Sequence, residues 1–194
     1  MKKIVFATNN QNKLKEVRKA LPKIKVLSLK DIKCFEELPE EKDTLEGNAQ
    51  QKAEYVYLKY GVPCFADDTG LVIRALDGSP GVYSARYAGP ECDSEKNMDL
   101  VLENLLNTND RNAHFKTVIC FFSEEGPKLF DGIIEGVVLR ERTGSDGFGY
   151  DPIFKPNGYN LSFAQMSMDK KNEISHRGIA VRKLIHFLKS SNQT

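Results

Sequence analysis

With 194 residues, 40% of them hydrophobic and 28% charged, the chain is long enough to bury a substantial core and reads as a globular protein. Its 28 Lys and Arg against 27 Asp and Glu leave a formal net charge of +1, which excludes the basic excess of a bulk nucleic-acid binder. No apolar run approaches a membrane span, and the N-terminal segment turns polar too soon for a signal peptide, so a cytoplasmic protein with no membrane partner is expected.

In chain order, Lys3–Thr8 reads as a short apolar strand ending in the polar turn Thr8-Asn9-Asn10-Gln11-Asn12. A helix follows, with Leu14, Val17 and Leu21 at helical spacing and Pro22 closing it. Lys25–Leu29 predicts a second strand, the acidic stretch from Glu36 to Asp43 is irregular, and Leu45 to Tyr60 predicts a second helix facing inward through Leu45, Ala49, Ala53 and Val56. Pro63–Ala66 and Leu71–Ala75 read as two strand segments around a turn, Asp67-Asp68-Thr69-Gly70. Asp77-Gly78-Ser79-Pro80-Gly81 is a further turn signal, and Asp93 or Ser94 can cap a third helix. His114–Ser123 and Leu129–Arg140 predict a long hairpin broken at Glu124-Glu125-Gly126-Pro127, and the chain ends in a helix with Ala180, Leu184, Phe187 and Leu188 inward. With no repeat or linker, one α/β domain over residues 1–194 with a mixed sheet is expected. Cys34, Cys64, Cys92 and Cys120 are scattered, with no C-x-x-C pair, which predicts reduced thiols and no zinc knuckle.

Four segments carry chemistry. In Thr8-Asn9-Asn10-Gln11-Asn12-Lys13 a strand gives way to a helix start, where backbone N–H groups and the helix dipole can receive an anion and Lys13 can add a point charge; an ordinary capped turn has the same composition. In Asp67-Asp68 two adjacent carboxylates repel one another unless a cation or hydrogen bonds compensate, and Mg²⁺ suits such a pair together with phosphate oxygens; Glu40 can supply a further oxygen. In Lys170 to Gly178 the basic His176 and Arg177 fall in the first turn of the last helix, against its dipole, and call for a compensating anion or acceptor. Finally, Gly144-Ser145-Asp146-Gly147-Phe148-Gly149-Tyr150-Asp151-Pro152 crowds glycines and aromatics into a loop, which predicts a base-stacking wall and close approach of the backbone to ligand. Phosphate contacts, a metal site and a stacking platform together describe a nucleoside triphosphate site.

The ordered set Ala7 to Lys13, Phe65 to Leu71, Pro80 to Tyr87, Gly147 to Pro152 and Ser175 to Gly178 resembles the inosine triphosphate pyrophosphatase family, from residue 3 to about residue 188. The resemblance implies a two-lobed α/β ITPase-like fold with a long central mixed sheet flanked by helices, an active cleft between the lobes, and a homodimer. It implies Mg²⁺-dependent cleavage of ITP, dITP and XTP to monophosphate and pyrophosphate. By motif, Thr8, Asn9, Asn10, Gln11, Asn12 and Lys13 would hold the phosphates, and Asp68 would be the catalytic base or a metal ligand, with Glu40 beside it at the metal. Thr69 would contact substrate; Phe148, Gly149, Tyr150 and Asp151 would bind the nucleoside, with Phe148 stacking on the base. Lys171, His176 and Arg177 would complete the phosphate and base contacts. The chain has Asp-Asp-Thr where the family has Asp-Asp-Ser, and it departs more widely from the family pattern between Glu40 and Ala49. The residues leave open whether Asp67, Asp68 or Glu40 takes the proton. A Maf-like pyrophosphatase acting on pyrimidines and a non-catalytic nucleotide sensor are the rival readings.

Overall fold

The β-branched and aromatic runs of the chain become strands, and the segments with apolar residues three and four apart become helices, in a computed structural model that describes residues 3–190. The order is β1 (Lys3–Phe6), α1 (Gln11–Ala20), β2 (Lys25–Leu27), α2 (Leu45–Tyr60), β3 (Cys64–Ile73), α3 (Ser94–Asn104), β4 (Asn112–Ser123), β5 (Gly126–Val138), β6 (Phe154–Pro156), α4 (Met168–Ile174) and α5 (His176–Ser190). The strands form one six-stranded sheet in the order β2-β1-β3-β4-β5-β6. It is mixed: β1 runs parallel to β2 and β3, and β6 runs antiparallel to β5. The α/β class with a mixed sheet flanked by helices is as expected, and β4 and β5 are sheet neighbours, as the expected hairpin requires, with Gly126 and Pro127 in β5 rather than in the break.

The chain divides into two compact units, each with its own core. The first takes the described chain up to Asp68, Thr117–Gly132, and the described chain from His176. Phe6 stacks on Phe65 with centroids 4.5 Å apart, and Leu14 and Val17 of α1 pack with Ala180 and Leu184 of α5. The second takes Thr69–Lys116 and Ile133–Ser175. Its core joins Leu71 and Ile73 of β3 to Met98 and Val101 of α3 and to an aromatic group in which Phe115 meets Phe154 edge-on at 4.7 Å.

One expectation is overturned. Asp67-Asp68-Thr69-Gly70 is not a turn between two strands; it lies inside the continuous strand β3. A turn would have left the carboxylates in water, whereas the strand buries them because basic and amide side chains compensate both. Gly70 permits this course, since a Cβ there would lie 2.5 Å from the carbonyl oxygen of Gly81. Ahead of α5 lies the short helix α4, with Ser175 as its C-cap, and His176 and Arg177 stand in the first turn of α5 as expected.

Candidate active site

In the first unit, Phe6 pairs in parallel register with Phe65, and the amide of Ala7 donates to the Phe65 carbonyl at 2.7 Å. That register sets the turn after β1 beside Asp67, two residues further along β3. Thr8 is buried and its Oγ1 accepts from the amide of Asn10; Asn9 and Asn10 are exposed. Asn10 is the N-cap of α1, its Oδ1 accepting from the amides of Asn12 and Lys13 at 3.0 and 3.1 Å. Two donors of the helix start are therefore satisfied internally, and Gln11 and Asn12 lie exposed on the first turn. Lys13 reaches back from that turn to Asp67, Nζ to Oδ1 at 3.1 Å.

Asp67 is 1% exposed and holds two cations: Lys13 on one oxygen and Nε of Arg177, at 3.1 Å, on the other. Arg177 donates through Nη1 to Glu16 of α1 as well. The compensating anions expected for the basic start of α5 are thus the protein's own Asp67 and Glu16. Burial by itself would raise the Asp67 carboxyl; Lys13, Arg177 and Lys52 outweigh it and hold the group well below the usual carboxylate range. The neighbouring Asp68 goes the other way. Burial raises its carboxyl, Lys52 and Lys13 offset only part of that, and the charge of Glu40 adds to the rise.

Asp68 accepts from Nδ2 of Asn48 at 3.1 Å and has the Lys52 ammonium 3.9 Å from its other oxygen, while Lys52 also donates to Glu40. Asn48 and Lys52 were not among the expected site residues, though a signal was present. With Leu45, Ala49, Ala53 and Val56 they complete the buried stripe of α2, so two polar residues stand at positions whose spacing demands burial. Glu16 escaped notice in the same way, beside Leu14 and Val17 on the buried side of α1.

Among the described residues no three His, Cys, Asp or Glu side chains converge to hold an ion. Both oxygens of Asp67 are engaged by cations, and Glu40 and Asp68 converge on the Lys52 ammonium. Two carboxylates that converge in this way fit Mg²⁺, which takes one or two carboxylates and fills its shell with phosphate oxygens and water.

His176 opens α5, nearly buried, with Nδ1 2.6 Å from Oγ1 of Thr117 on β4. Thr69 follows Asp68 on β3 and is half-buried.

In the second unit, the glycine-rich loop is pinned by its own backbone, Thr143 to Pro152 at 2.8 Å and Asp146 to Ala164 at 3.1 Å. Asp151 is 3% exposed, and its Oδ2 accepts from the amide of Phe148 at 2.8 Å and from Nζ of Lys171 at 2.6 Å. The Lys171 ammonium lies 4.9 Å from the centroid of the Phe148 ring, a cation–π arrangement on that face. Tyr150 is a core residue whose hydroxyl donates to the carbonyl of Ser84 at 2.8 Å. Two of the loop glycines lie close against the protein itself. At φ 80° a Cβ on Gly147 would strike the Asp151 carboxylate, and on Gly144, at φ 88°, it would lie 2.6 Å from the Ala164 backbone. Gly149, at φ 62°, has open space where a Cβ would stand.

The site thus comprises a mixed sheet whose central strand carries two adjacent buried carboxylates, with Lys13 and the buried Lys52 beside them. A family model for the Ham1 family matches residues 4–187. The chain is 54% identical over 187 residues to the dITP/XTP pyrophosphatase of Christiangramia forsetii, covering 96% of this chain and 98% of that one. It is 50% identical over 190 residues to the dITP/XTP pyrophosphatase of Porphyromonas gingivalis, covering 97% and 98%. The solved structure of the Staphylococcus aureus Ham1 protein superposes with a TM-score of 0.88 at 37% identity, over 98% of this chain and all of that one. The chain belongs to the Ham1 family.

Proposed function

We propose that the protein hydrolyses deaminated purine nucleoside triphosphates, ITP, dITP and XTP, to the monophosphate and pyrophosphate, and so keeps them out of DNA and RNA. The observation that carries this reading is the different setting of two adjacent buried carboxylates, Asp67 held between Lys13 and Arg177 and Asp68 set with Glu40 at the Lys52 ammonium. It is supported by the names of relatives that share half their residues with this chain.

Cleavage at the α-phosphorus needs a water stripped of its proton and a neutralised leaving pyrophosphate. Asp68 is the group we assign as general base, since a carboxyl raised by burial accepts a proton that Asp67, bound to two cations, does not. Glu40 and Asp68 would hold Mg²⁺, which when bound supplies charge neutralisation and acidifies a coordinated water. Thr8 to Lys13 would line the phosphates. Asp67 orients Lys13 and Arg177, and Arg177 acts near the base edge through that fixed position. Phe148, Gly149, Tyr150, Asp151 and Lys171 would receive the nucleoside, Thr69 would contact substrate, and His176 would donate to the 6-oxygen of hypoxanthine or xanthine. Adenine carries an amino donor at that position and leaves such a donor unpaired, a mismatch that can discriminate by on the order of 10⁴-fold.

We propose further that the enzyme is a homodimer that works in the cytoplasm, in keeping with four free cysteines, and that neither nucleic acid nor membrane is a partner. Product analysis tests the reaction: ITP with Mg²⁺ is expected to give IMP and pyrophosphate in equal amounts, with loss of turnover in chelator. Formation of IDP and phosphate would overturn the proposal.

A further inference from the structure

Thr117 is fully buried at the middle of β4, and His176, 59 positions away, is nearly so; their side chains meet at 2.6 Å between Oγ1 and Nδ1. Water does not compete for this bond at such burial. The partners are also held in place. Threonine is branched at Cβ and restricted about χ1 in a strand. The first turn of α5 lies so close to β5 that a Cβ on Gly132 would collide with the His176 carbonyl oxygen and approach the Ala180 amide to 2.7 Å.

A neutral imidazole has one donor and one acceptor nitrogen, so whatever Nδ1 does decides what Nε2 offers. A hydroxyl can play either part at Nδ1. A ring that faces a 6-oxo group as a donor carries its proton on Nε2, and in the neutral imidazole that leaves Nδ1 to accept from the Thr117 hydroxyl.

We infer that Thr117 is a positioning residue for base specificity: its hydroxyl donates to Nδ1 of His176, holds the ring as the Nε2–H tautomer, and makes His176 a donor toward the 6-position of the purine. An acceptor at Nε2 would favour the 6-amino group of adenine, so the hydroxyl of Thr117 selects between oxo and amino purines without touching either. The inference rests on the proposed reaction, and tautomer and specificity are tested separately.

Nitrogen-15 labelling of the three histidines separates the two parts. Long-range proton–nitrogen spectra of the whole protein, with the His176 signals assigned by their loss in His176→Gln, report which ring nitrogen is protonated. Wild type and Thr117→Ser are expected to show protonated Nε2 and bare Nδ1, and the near-isosteric Thr117→Val to show a mixture. Protonated Nδ1 in wild type, or an unchanged pattern in Thr117→Val, overturns the inference. In parallel, the ratio of kcat/KM for ITP over ATP is expected to fall about tenfold in Thr117→Val, the worth of one well-made hydrogen bond, and to recover in Thr117→Ser. An equal loss on both substrates would reduce Thr117 to a packing residue. Absence of turnover in wild type would overturn the proposed reaction and the specificity with it, while the spectra still decide the tautomer.

Discussion

Arg177, at the start of α5, donates from Nε to Oδ2 of Asp67 on β3 at 3.1 Å, joining residues 110 positions apart. Arg177 is 3% exposed and Asp67 1%. Two buried charges on different elements therefore hold one another, and with Lys13 and Glu16 they fix α1 and α5 against the strand that carries Asp68.

Removing one member leaves the others buried and uncompensated. Asp67→Asn is expected to cost about 3–5 kcal/mol, and for a chain of this size that corresponds to a fall in Tm on the order of 10 °C. The pH dependence follows from the depressed carboxyl. Its stabilisation is fully present above the unfolded value of about 3.9 and is lost as pH falls through the lower folded value. Thermal melts of wild type and variant should thus differ by a steady gap from pH 5 to pH 8 that narrows only in stronger acid. Coincident melts at pH 7 would contradict the assignment.

Asp68 has the opposite sign. Its folded carboxyl is raised, so the protonated form favours the fold and that contribution is lost as pH rises through the folded value. Asp68→Asn should therefore gain stability relative to wild type as the pH is raised, while losing activity by about 10²-fold or more as the proton acceptor disappears. Thermal melts of the metal-free proteins across pH, with rates at saturating Mg²⁺, check both parts; an Asp68→Asn variant with wild-type turnover would shift the base role to another group.

Phe148 is half-buried, with Lys171 over one face of its ring. If the ring is the platform for the base, Phe148→Ala should raise the KM for ITP by about 10- to 100-fold, since stacking on one aromatic is worth about 1–3 kcal/mol. Phe148→Tyr should retain most of the affinity. Steady-state kinetics of the two variants check this, and an unchanged KM in Phe148→Ala would remove Phe148 from the nucleoside contacts.

Gly70→Ala tests the strand that replaced the expected turn. Its Cβ would press on the Gly81 carbonyl, backbone against backbone, and overpacking of that kind costs about 1–3 kcal/mol. A melting temperature lower by several degrees is expected, whereas a turn at this position would have tolerated alanine.

How much was legible in the sequence depends on whether the signal was local. The bounds of α2 coincide with the expected Leu45 to Tyr60, because Thr44 caps its start and Gly61, at φ 64°, ends it; both are local signals. The strand course of Asp67-Asp68-Thr69-Gly70 was not legible, because local composition reads as a turn and only distant partners make burial tolerable. Lys13 lies 54 positions from Asp67, and Asn48 lies 20 from Asp68. The site residues named from sequence fall in two groups, one around Asp67 and Asp68 and the other around Asp151 and Lys171. What composition did not reveal was pairing within each group: Arg177 with Asp67, and Lys171 with Asp151. The glycine-rich loop was legible as a special backbone segment, but not that Gly144, Gly147 and Gly149 all take positive φ or that the protein itself crowds Gly144 and Gly147.

The central claim is hydrolysis selective for 6-oxo, deaminated purines, and a substrate panel tests it most directly. Initial rates of pyrophosphate release from ITP, XTP, GTP, ATP and dUTP, measured with Mg²⁺ on the intact protein, are expected to give high kcat/KM for ITP and XTP and values lower by orders of magnitude for ATP and dUTP. Equal turnover of ITP and ATP would contradict the account.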